Sequence, residues 1–577
     1  MKKILVIIPV LLLTLLFQFE SAHSQIDREA GAPFATRSEV IAQNGMVATS
    51  QPLATQIGLD ILKSGGNAID AAIAANAATG LMEPTGNGIG GDLFAIVWHQ
   101  KSGKLYALNA SGRSPLGLSF EQLQNDLDAL GAESIPPYSI HSVSVPGAID
   151  GWFVLHERFG SLPMNEILSG AIHYAEEGFP VSEAIASSWR RSARFLKNQP
   201  GDFEETFTID GKGPEKGDIF KNPDLGNTLR QIGEKGRDVF YRGEITEKIE
   251  NYMREQGGYL RFEDFDSHKS EWVDPVTTNY RGYDVYQVGG NVQGTAVLQM
   301  LNILEGFDLT ESGFATEETL HLLIESKKLA FEDRAKHYAD PDFQEIPYDI
   351  LLSKEYAAER RELIGERALN DLSTGVDVLE DGDTIYLTTA DSEGNMVSLI
   401  QSNFRGMGTG FVVPGLGFSF QNRGELFSMD PDHPNAYEPG KRPFHTIIPG
   451  FVMKDGKPWF SFGNMGGAYQ PIGHVTILTN IIDFGMNIQE AGDALRWTHS
   501  GSTQPTDDLS DTLEGPGQVY IESAINFEIV EALRSRGHDI QIGGNFYGRY
   551  QGIMKNHEKG VYFGASESRV DGQAAGY

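Results

Sequence analysis

Asp381-Gly-Asp-Thr-Ile-Tyr-Leu-Thr-Thr-Ala-Asp-Ser-Glu-Gly-Asn395 is the stretch on which the reading of this chain turns. It reads as a polar loop, a short strand rich in Thr, Ile and Tyr, and a Gly-Asn turn into a second strand, Met396 to Gln401. The residue that matters is Thr384 at the strand start. If the Asp383–Thr384 peptide bond is cut, Thr384 carries a free α-amine beside its own hydroxyl. Nucleophile and general base then sit on one residue.

The pattern around this hairpin mixes helices and strands, with no internal repeat and no low-complexity linker. Pro52 to Lys63 predicts a helix closed by Gly65-Gly66. Ala68 to Leu81 predicts a second, Ala-rich helix that is buried on most sides. Leu93 to His99 and Lys104 to Asn109 read as a strand pair. Gly294 to Leu304 and Ala315 to Tyr338 read as helices, the latter with Leu320, Leu323, Ile324 and Phe331 on one face. Short strands are expected around Thr384, Gly417, Phe451 and Trp459. Helices followed by hairpin-connected strands suit sheets sandwiched between helical layers, an α+β arrangement.

Composition narrows the setting. The chain has 577 residues, a formal charge of -33 and no cysteine. The charge argues against nucleic acid and against an electrostatic grip on anionic membranes. Without cysteine the protein is neither a lipoprotein nor disulfide-stapled. Lys2-Lys3, the apolar run Ile4 to Phe17 and the small-residue site Ala22-His-Ser24 read as a signal peptide over residues 1–24. The apolar run is short for a membrane span of about 20 residues. A periplasmic or secreted location is expected, with no membrane attachment after cleavage. His433, His445 and His474 are scattered without ligand spacing, so neither a metal nor another cofactor is expected.

Motifs further out carry a resemblance. They are Gly45-Met-Val-Ala48, Ile61-Leu-Lys-Ser-Gly-Gly-Asn-Ala-Ile-Asp70, Gly88-Ile-Gly-Gly91 and the Arg of Asn109-Ala-Ser-Gly-Arg113. Then come Glu325-Ser-Lys-Lys-Leu-Ala-Phe-Glu-Asp-Arg334, Asp340-Pro-Asp-Phe343, Gly408-Thr-Gly410, Pro434-Asn435, Lys441-Arg-Pro443 and Gly466-Gly467. In this order around Thr384, they resemble the gamma-glutamyltransferases of the N-terminal-nucleophile hydrolase superfamily. The resemblance implies an αββα four-layer sandwich and self-cleavage at Asp383–Thr384. The products would be a large subunit, 25–383, and a small subunit, 384–577, intertwined in one domain as a heterodimer.

The resemblance also implies acyl transfer through a threonyl ester at Thr384. Gly466 and Gly467 match the family's oxyanion glycines, since glycine lets the backbone approach closely. Ser402, eighteen residues after Thr384, stands where the family has a threonine whose hydroxyl bonds the nucleophile. Arg113 matches the arginine that clamps the glutamyl α-carboxylate. Gly88 to Gly91 resembles the family's glycine-rich stretch and is not a phosphate cradle, since no Lys-Ser/Thr follows. The implied donors are glutathione or related gamma-glutamyl amides, with water, an amino acid or a peptide as acceptor.

Departures concern recognition. The family's Asn-Gln-Met-Asp-Asp-Phe-Ser reads here Asn422-Arg-Gly-Glu-Leu-Phe-Ser428. The Gln position is Arg423 and the amine-binding Asp position is Leu426. Glu425 is one step away, but neighbours on an extended segment face opposite ways. The paired serines are here His445 and Thr446, and the family Asn two positions past Ser402 is Phe404. Only Glu438-Pro-Gly440 separates Tyr437 from Lys441, so the lid loop of many members is expected to be absent. These changes favour an acyl group richer in negative charge or lacking the amine. The alternative function is therefore an amidohydrolase akin to cephalosporin acylases or oxamate amidohydrolases. Fractionation of the native host should recover protein that begins near Gln25 outside the cytoplasm. Met1-bearing protein confined to the cytosol would refute export.

Overall fold

The computed structural model describes residues 30–370, 382–507, 515–544 and 546–577. The expected signal peptide lies outside the described residues. Among them no helix is long and apolar enough to cross a membrane.

The helices follow from their caps. Helix α1, Pro52–Lys63, has Pro at its first turn and is capped by the Gln51 side chain, which accepts from Ala54 N at 3.1 Å. Helix α2, Ala68–Met82, opens on an Asn67/Asp70 capping box and is buried almost all round. Its alanines let it lie flat on the sheet that carries Thr384. Helices α3, Gly294–Leu304, and α4, Glu317–His337, belong to the opposite layer. Leu320, Leu323, Ile324 and Phe331 of α4 share one apolar cluster, as the periodicity predicts.

Two seven-stranded antiparallel sheets lie between the helices. One runs Gln573–Gly576, Met46–Thr49, Gly382–Ala390, Met396–Arg405, Asp92–His99, Lys104–Ala110, Glu271–Val273. The other runs Val40–Ala42, Val561–Ser566, Tyr550–Asn556, Lys457–Asn464, Gly450–Lys454, Tyr283–Gln287, Val276–Tyr280. Alternation divides the core. Leu387, Val397, Leu399 and Leu93 pack with Ile57, Ile69 and Ile73 of α1 and α2. Tyr386, Met396, Ile400 and Phe94 turn to the second sheet, where Ser461 bonds Thr388 at 2.7 Å and Gly463 lies under the Tyr386 ring; Phe462 points to that sheet's far side, which α3 covers with α4 packed behind it. This is the helix–sheet–sheet–helix sandwich. Both sheets take strands from before and from after Thr384, so each seven-stranded sheet needs both parts of the chain.

One expected strand is absent. Around Gly417 there are only isolated bridges, Val412 with Ser419 among them. Gly408, Gly410, Gly415 and Gly417 all have positive φ, which turns the chain out of any ladder. The glycine-rich stretch has a packing reason. A Cβ on Gly91 would lie 2.4 Å from the carbonyl oxygen of Ser402, and one on Gly90 2.2 Å from that of Ser419. The turn can reach the Ser402 strand only without side chains. Gly91→Ala is expected to cost about 1–3 kcal/mol in a urea titration. An unchanged midpoint would show that the turn can retreat.

Candidate active site around Thr384

The ladder between Gly382–Ala390 and Met396–Arg405 breaks at one place. Asp383 faces Phe404 and Ile385 faces Gln401, so Ser402 and Asn403 stand against Thr384 alone. Such a bulge re-aims a side chain and frees it from regular pairing. Thr384 is fully buried, and its hydroxyl has no hydrogen-bond partner. Its N–H donates to the Asp383 carboxylate at 3.0 Å.

Ser402 behaves differently from the expectation. Its hydroxyl donates to the Asp383 carbonyl oxygen at 2.7 Å and accepts from Phe404 N at 2.7 Å. In the uncut chain it therefore polarises the carbonyl of the bond before Thr384, not the Thr384 hydroxyl. The geometry is that of a hydroxyl donor seated on a carbonyl oxygen, the arrangement an oxyanion hole uses. Phe404, with φ 78, holds a backbone shape that costs a non-glycine residue strain, and it fixes Ser402 in place.

A second group of charges lies on the Asp383 side. Arg549 reaches the Asp383 carboxylate at 3.4 Å. Glu83, at the end of α2, is fully buried and accepts from the Ser50 hydroxyl at 2.9 Å. Burial pushes its carboxyl up to about 7, against the pull of the neighbouring Arg549. Three residues further on, a Cβ on Gly86 would come within 3.2 Å of the Thr384 carbonyl oxygen. A cavity of about 370 Å³ opens here, lined by Asp383, Arg405, Arg549, Tyr138, Phe195 and Phe546.

The remaining expected residues are distributed as follows. Gly466 and Gly467 take φ 119 and 54, and the Gly467–Tyr469 turn packs on the strand that carries Thr384. The Gln293 amide donates to the carbonyls of Gly467 at 2.8 Å and Thr446 at 2.6 Å, tying the two turns together. Arg423 is fully buried, donates to the Thr446 hydroxyl at 2.9 Å and lies 4.3 Å from the centre of the Phe404 ring. Thr384, Ser402, Gly467, Thr446 and Arg423 thus form one linked group. His445 is buried with Nε2 3.2 Å from Asp92 Oδ2, off the line of a hydrogen bond. Burial, with Arg423 and Arg442 near, holds its ring far below the usual pKa, so it is neutral. Asp92, opposite Ser402 in the ladder, is itself pushed up to about 7 by burial. Glu425 lies on Arg405 at 2.5 Å and is also pushed up to about 7 by burial. Its Oε1 is taken by Arg405, while its Oε2 has no hydrogen-bond partner.

Arg113 stands apart. Its backbone loop is anchored to the group, since Gly112 N donates to Asp92 at 2.9 Å. Its guanidinium, however, meets Asp342 at 2.6 Å, Asp340 at 3.2 Å, Glu271 at 3.6 Å and the Gly440 carbonyl at 3.0 Å. Arg442 shares the same three carboxylates. Sequence reasoning missed Glu83, Asp92, Gln293 and Arg549. Only the Glu83-Pro and Gly91-Asp pairs beside known motifs hinted at them. The scattered His433, His445 and His474 form no ligand set. The three-residue group within ligand reach among the described residues is His321, Glu325 and His538, where Lys328 already meets Glu325 at 2.7 Å.

Comparison with known proteins agrees along the chain. The family described as Gamma-glutamyltranspeptidase matches residues 54–577. The glutathione hydrolase-like YwrD proenzyme of Bacillus subtilis is 36% identical over 93% of this chain and 99% of its own. The glutathione hydrolase proenzyme of Escherichia coli is 30% identical, covering 93% of each. The crystal structure of a cephalosporin acylase from Bacillus halodurans superposes with TM-score 0.86 at 44% identity, covering 96% of this chain and 99% of that one.

Glu83 gives the site a pH signature. Its folded pKa of about 7 exceeds the ordinary 4.5, so folding retains its proton between those values. The contribution is fully present below pH 4.5 and is lost as pH rises through 7. In a Thr384→Ala background, Glu83→Gln should remove about 2 kcal/mol from the fall in unfolding free energy between about pH 5 and pH 8. Parallel pH curves for the two proteins would refute the assignment.

Proposed function

The chain belongs to the gamma-glutamyltranspeptidase family, and on that premise we propose that it is a self-cleaved threonine amidase acting on amides of carboxylate-bearing acyl groups. The observation that carries this reading is the Ser402 hydroxyl at 2.7 Å from the Asp383 carbonyl oxygen, beside a bulged Thr384 whose hydroxyl is unengaged.

In maturation the Thr384 Oγ attacks the Asp383 carbonyl carbon. Ser402 stabilises the oxyanion, and the hydroxyl proton passes to the Thr384 nitrogen as the C–N bond breaks. Water then hydrolyses the resulting ester. Residues 25–383 end in a new carboxylate, and residues 384–577 begin with the Thr384 amine. In turnover that amine, with a pKa near 8, takes the Thr384 hydroxyl proton as Oγ attacks the substrate amide. It then gives the proton to the leaving amine. The Gly466–Gly467 turn supplies the oxyanion donors, and water or an amine acceptor resolves the acyl-enzyme.

Two acyl classes compete. Gamma-glutamyl amides such as glutathione are the reference donors that relatives' names point to. Against amine recognition, position 426 is a buried leucine and Glu425 is bound to Arg405. An ammonium placed there would have to compete with Arg405 and Arg423 for Glu425, the one carboxylate beside it with an oxygen open. The favoured donor is therefore a carboxylate-bearing acyl amide whose α-amine is unread, in line with the acylase likeness. The signal-peptide reading makes the enzyme periplasmic or secreted.

Thr384→Ala should leave one uncut, inactive chain on a denaturing gel. Ser402→Ala should slow cleavage about 10²–10³-fold, while Ser402→Thr should mature normally. Cleavage of the Thr384→Ala chain at this bond would overturn the scheme. For the acyl group, glutaryl and gamma-glutamyl anilides should give kcat/KM values within about ten-fold, or favour glutaryl. A gamma-glutamyl preference of about a thousand-fold would reinstate amine recognition.

A further inference from the structure

The charges around Thr384 point to one residue whose task is unfilled. Arg423 is fully buried at the start of a single 3₁₀ turn, Arg423–Leu426. The next residue pins that turn: a Cβ on Gly424 would lie 2.7 Å from the Ser142 carbonyl oxygen. The Arg423 guanidinium is thus held in the interior, without contact with water.

Its donors are unevenly used. Nη1 donates to the Thr446 hydroxyl at 2.9 Å, whereas Nε and Nη2 have no hydrogen-bond partner. Nε and Nη2 form the side-on edge of a guanidinium, two parallel N–H groups spaced to take both oxygens of one carboxylate. The Phe404 ring at 4.3 Å holds the plane of that fork. Phe404 faces Asp383 across the ladder, so the fork lies one side chain from the bond that is cut.

The nearby carboxyls are each held through one oxygen, while Asp92 Oδ2 and Glu425 Oε2 have no hydrogen-bond partner. Asp92 takes the backbone N–H groups of Gly112 and Gly147 at 2.9 and 3.1 Å. Glu425 takes Arg405. Burial accordingly lowers the Arg423 pKa to about 9, with Asp92 and Glu425 compensating only in part. Arg442, also fully buried and also without hydrogen bonds at Nε and Nη2, differs in that its Nη2 meets Glu271 at 3.0 Å. Arg496, equally buried, meets Glu567 at 2.8 Å and donates to the carbonyls of Tyr547 and Gly548. A buried cation left open is costly unless a ligand closes it.

We propose that the Nε–Nη2 edge of Arg423, with Thr446 holding its third nitrogen, seats the carboxylate of the acyl group. Arg113 does not, because Asp340, Asp342 and Glu271 already occupy its guanidinium. Release of Asp383 from opposite Phe404 opens the seat in the mature enzyme. The inference rests on the amidase reading and assigns its substrate class: amides of short dicarboxylic acids, the glutaryl type, over amides of neutral acids.

The test uses processed enzyme and two anilides that differ only in the distal group, glutaryl (carboxylate) and pentanoyl (methyl). Arg423→Gln should cut glutaryl kcat/KM by about a hundred-fold or more and leave pentanoyl within a few-fold. Arg113→Gln should leave the glutaryl-to-pentanoyl ratio near that of the parent enzyme. Should Arg423→Gln fail to mature, Arg423→Lys and Thr446→Val decide. Each should lower the ratio about ten-fold, since a point charge or an untethered fork cannot hold both oxygens. An equal loss on both substrates, or a ratio that collapses only in Arg113→Gln, overturns the proposal. If the parent enzyme accepts only gamma-glutamyl anilide, the amine-blind reading falls. The ratio of gamma-glutamyl to 4-aminobutyryl anilide, which lacks the α-carboxylate, then decides the role of Arg423 separately.

Discussion

A single break in one ladder organises this molecule. Gly382–Ala390 is a central strand, paired on both sides and buried on both faces, and its backbone groups would ordinarily all be satisfied by neighbours. At Thr384 two residues of the partner strand stand against one, and regular pairing lapses there. Ser402 fills the gap with its hydroxyl, bonding a carbonyl that the ladder would otherwise have engaged. On the proposed reading, structure and chemistry have the same cause here, because the group that repairs the sheet also polarises the Asp383–Thr384 peptide bond. The surrounding sandwich keeps that defect in place. α2 presses on one face of the strand, the second sheet on the other, and the side-chain-free turn through Gly90 and Gly91 lies against the exposed backbone of the bulged strand.

Much of the fold was legible because local signals agreed with burial. The caps at Gln51 and Asn67, the Gly65-Gly66 stop and the apolar face of α4 each specify an element that the structure contains. The sandwich itself was not legible from periodicity. Its central strands are buried on both faces, so Leu387 and Tyr386 are both hydrophobic while facing different layers. The failed strand near Gly417 shows the limit of composition. Its apolar residues suit a sheet, but glycines at positive φ decide the backbone path.

Site residues were legible by type and not by engagement. Thr384, Ser402, Gly467, Thr446 and Arg423 come together, yet sequence could not say which charges are already neutralised. Arg113 and Arg423 are each one arginine in a loop. One is surrounded by three carboxylates contributed from positions 271, 340 and 342, the other by a hydroxyl, an aromatic face and an open edge. The carboxylates around Arg113 come from segments more than a hundred residues away, and the partners beside Arg423 are set by loops folding back on one another. Glu83 escaped notice for the same reason, since only its burial beside Arg549 sets its protonation.

The altered recognition residues make sense as a set. In a buried site, an ammonium of the substrate needs a carboxylate and a carboxylate of the substrate needs a cation, because an unpaired charge there costs several kcal/mol. Replacing an aspartate by leucine at 426 removes the first partner and makes an incoming ammonium unfavourable. Placing arginine at 423 supplies the second and repels the ammonium as well. His445, held neutral between Asp92 and the arginines, adds no charge of its own. Each change alone would leave a compromise, with the acyl amine merely unbound or merely repelled. On the proposed reading, they together exchange a zwitterion-reading pocket for an anion-reading one around the same threonine, a route by which one sandwich could serve both gamma-glutamyl transfer and acyl-amide hydrolysis.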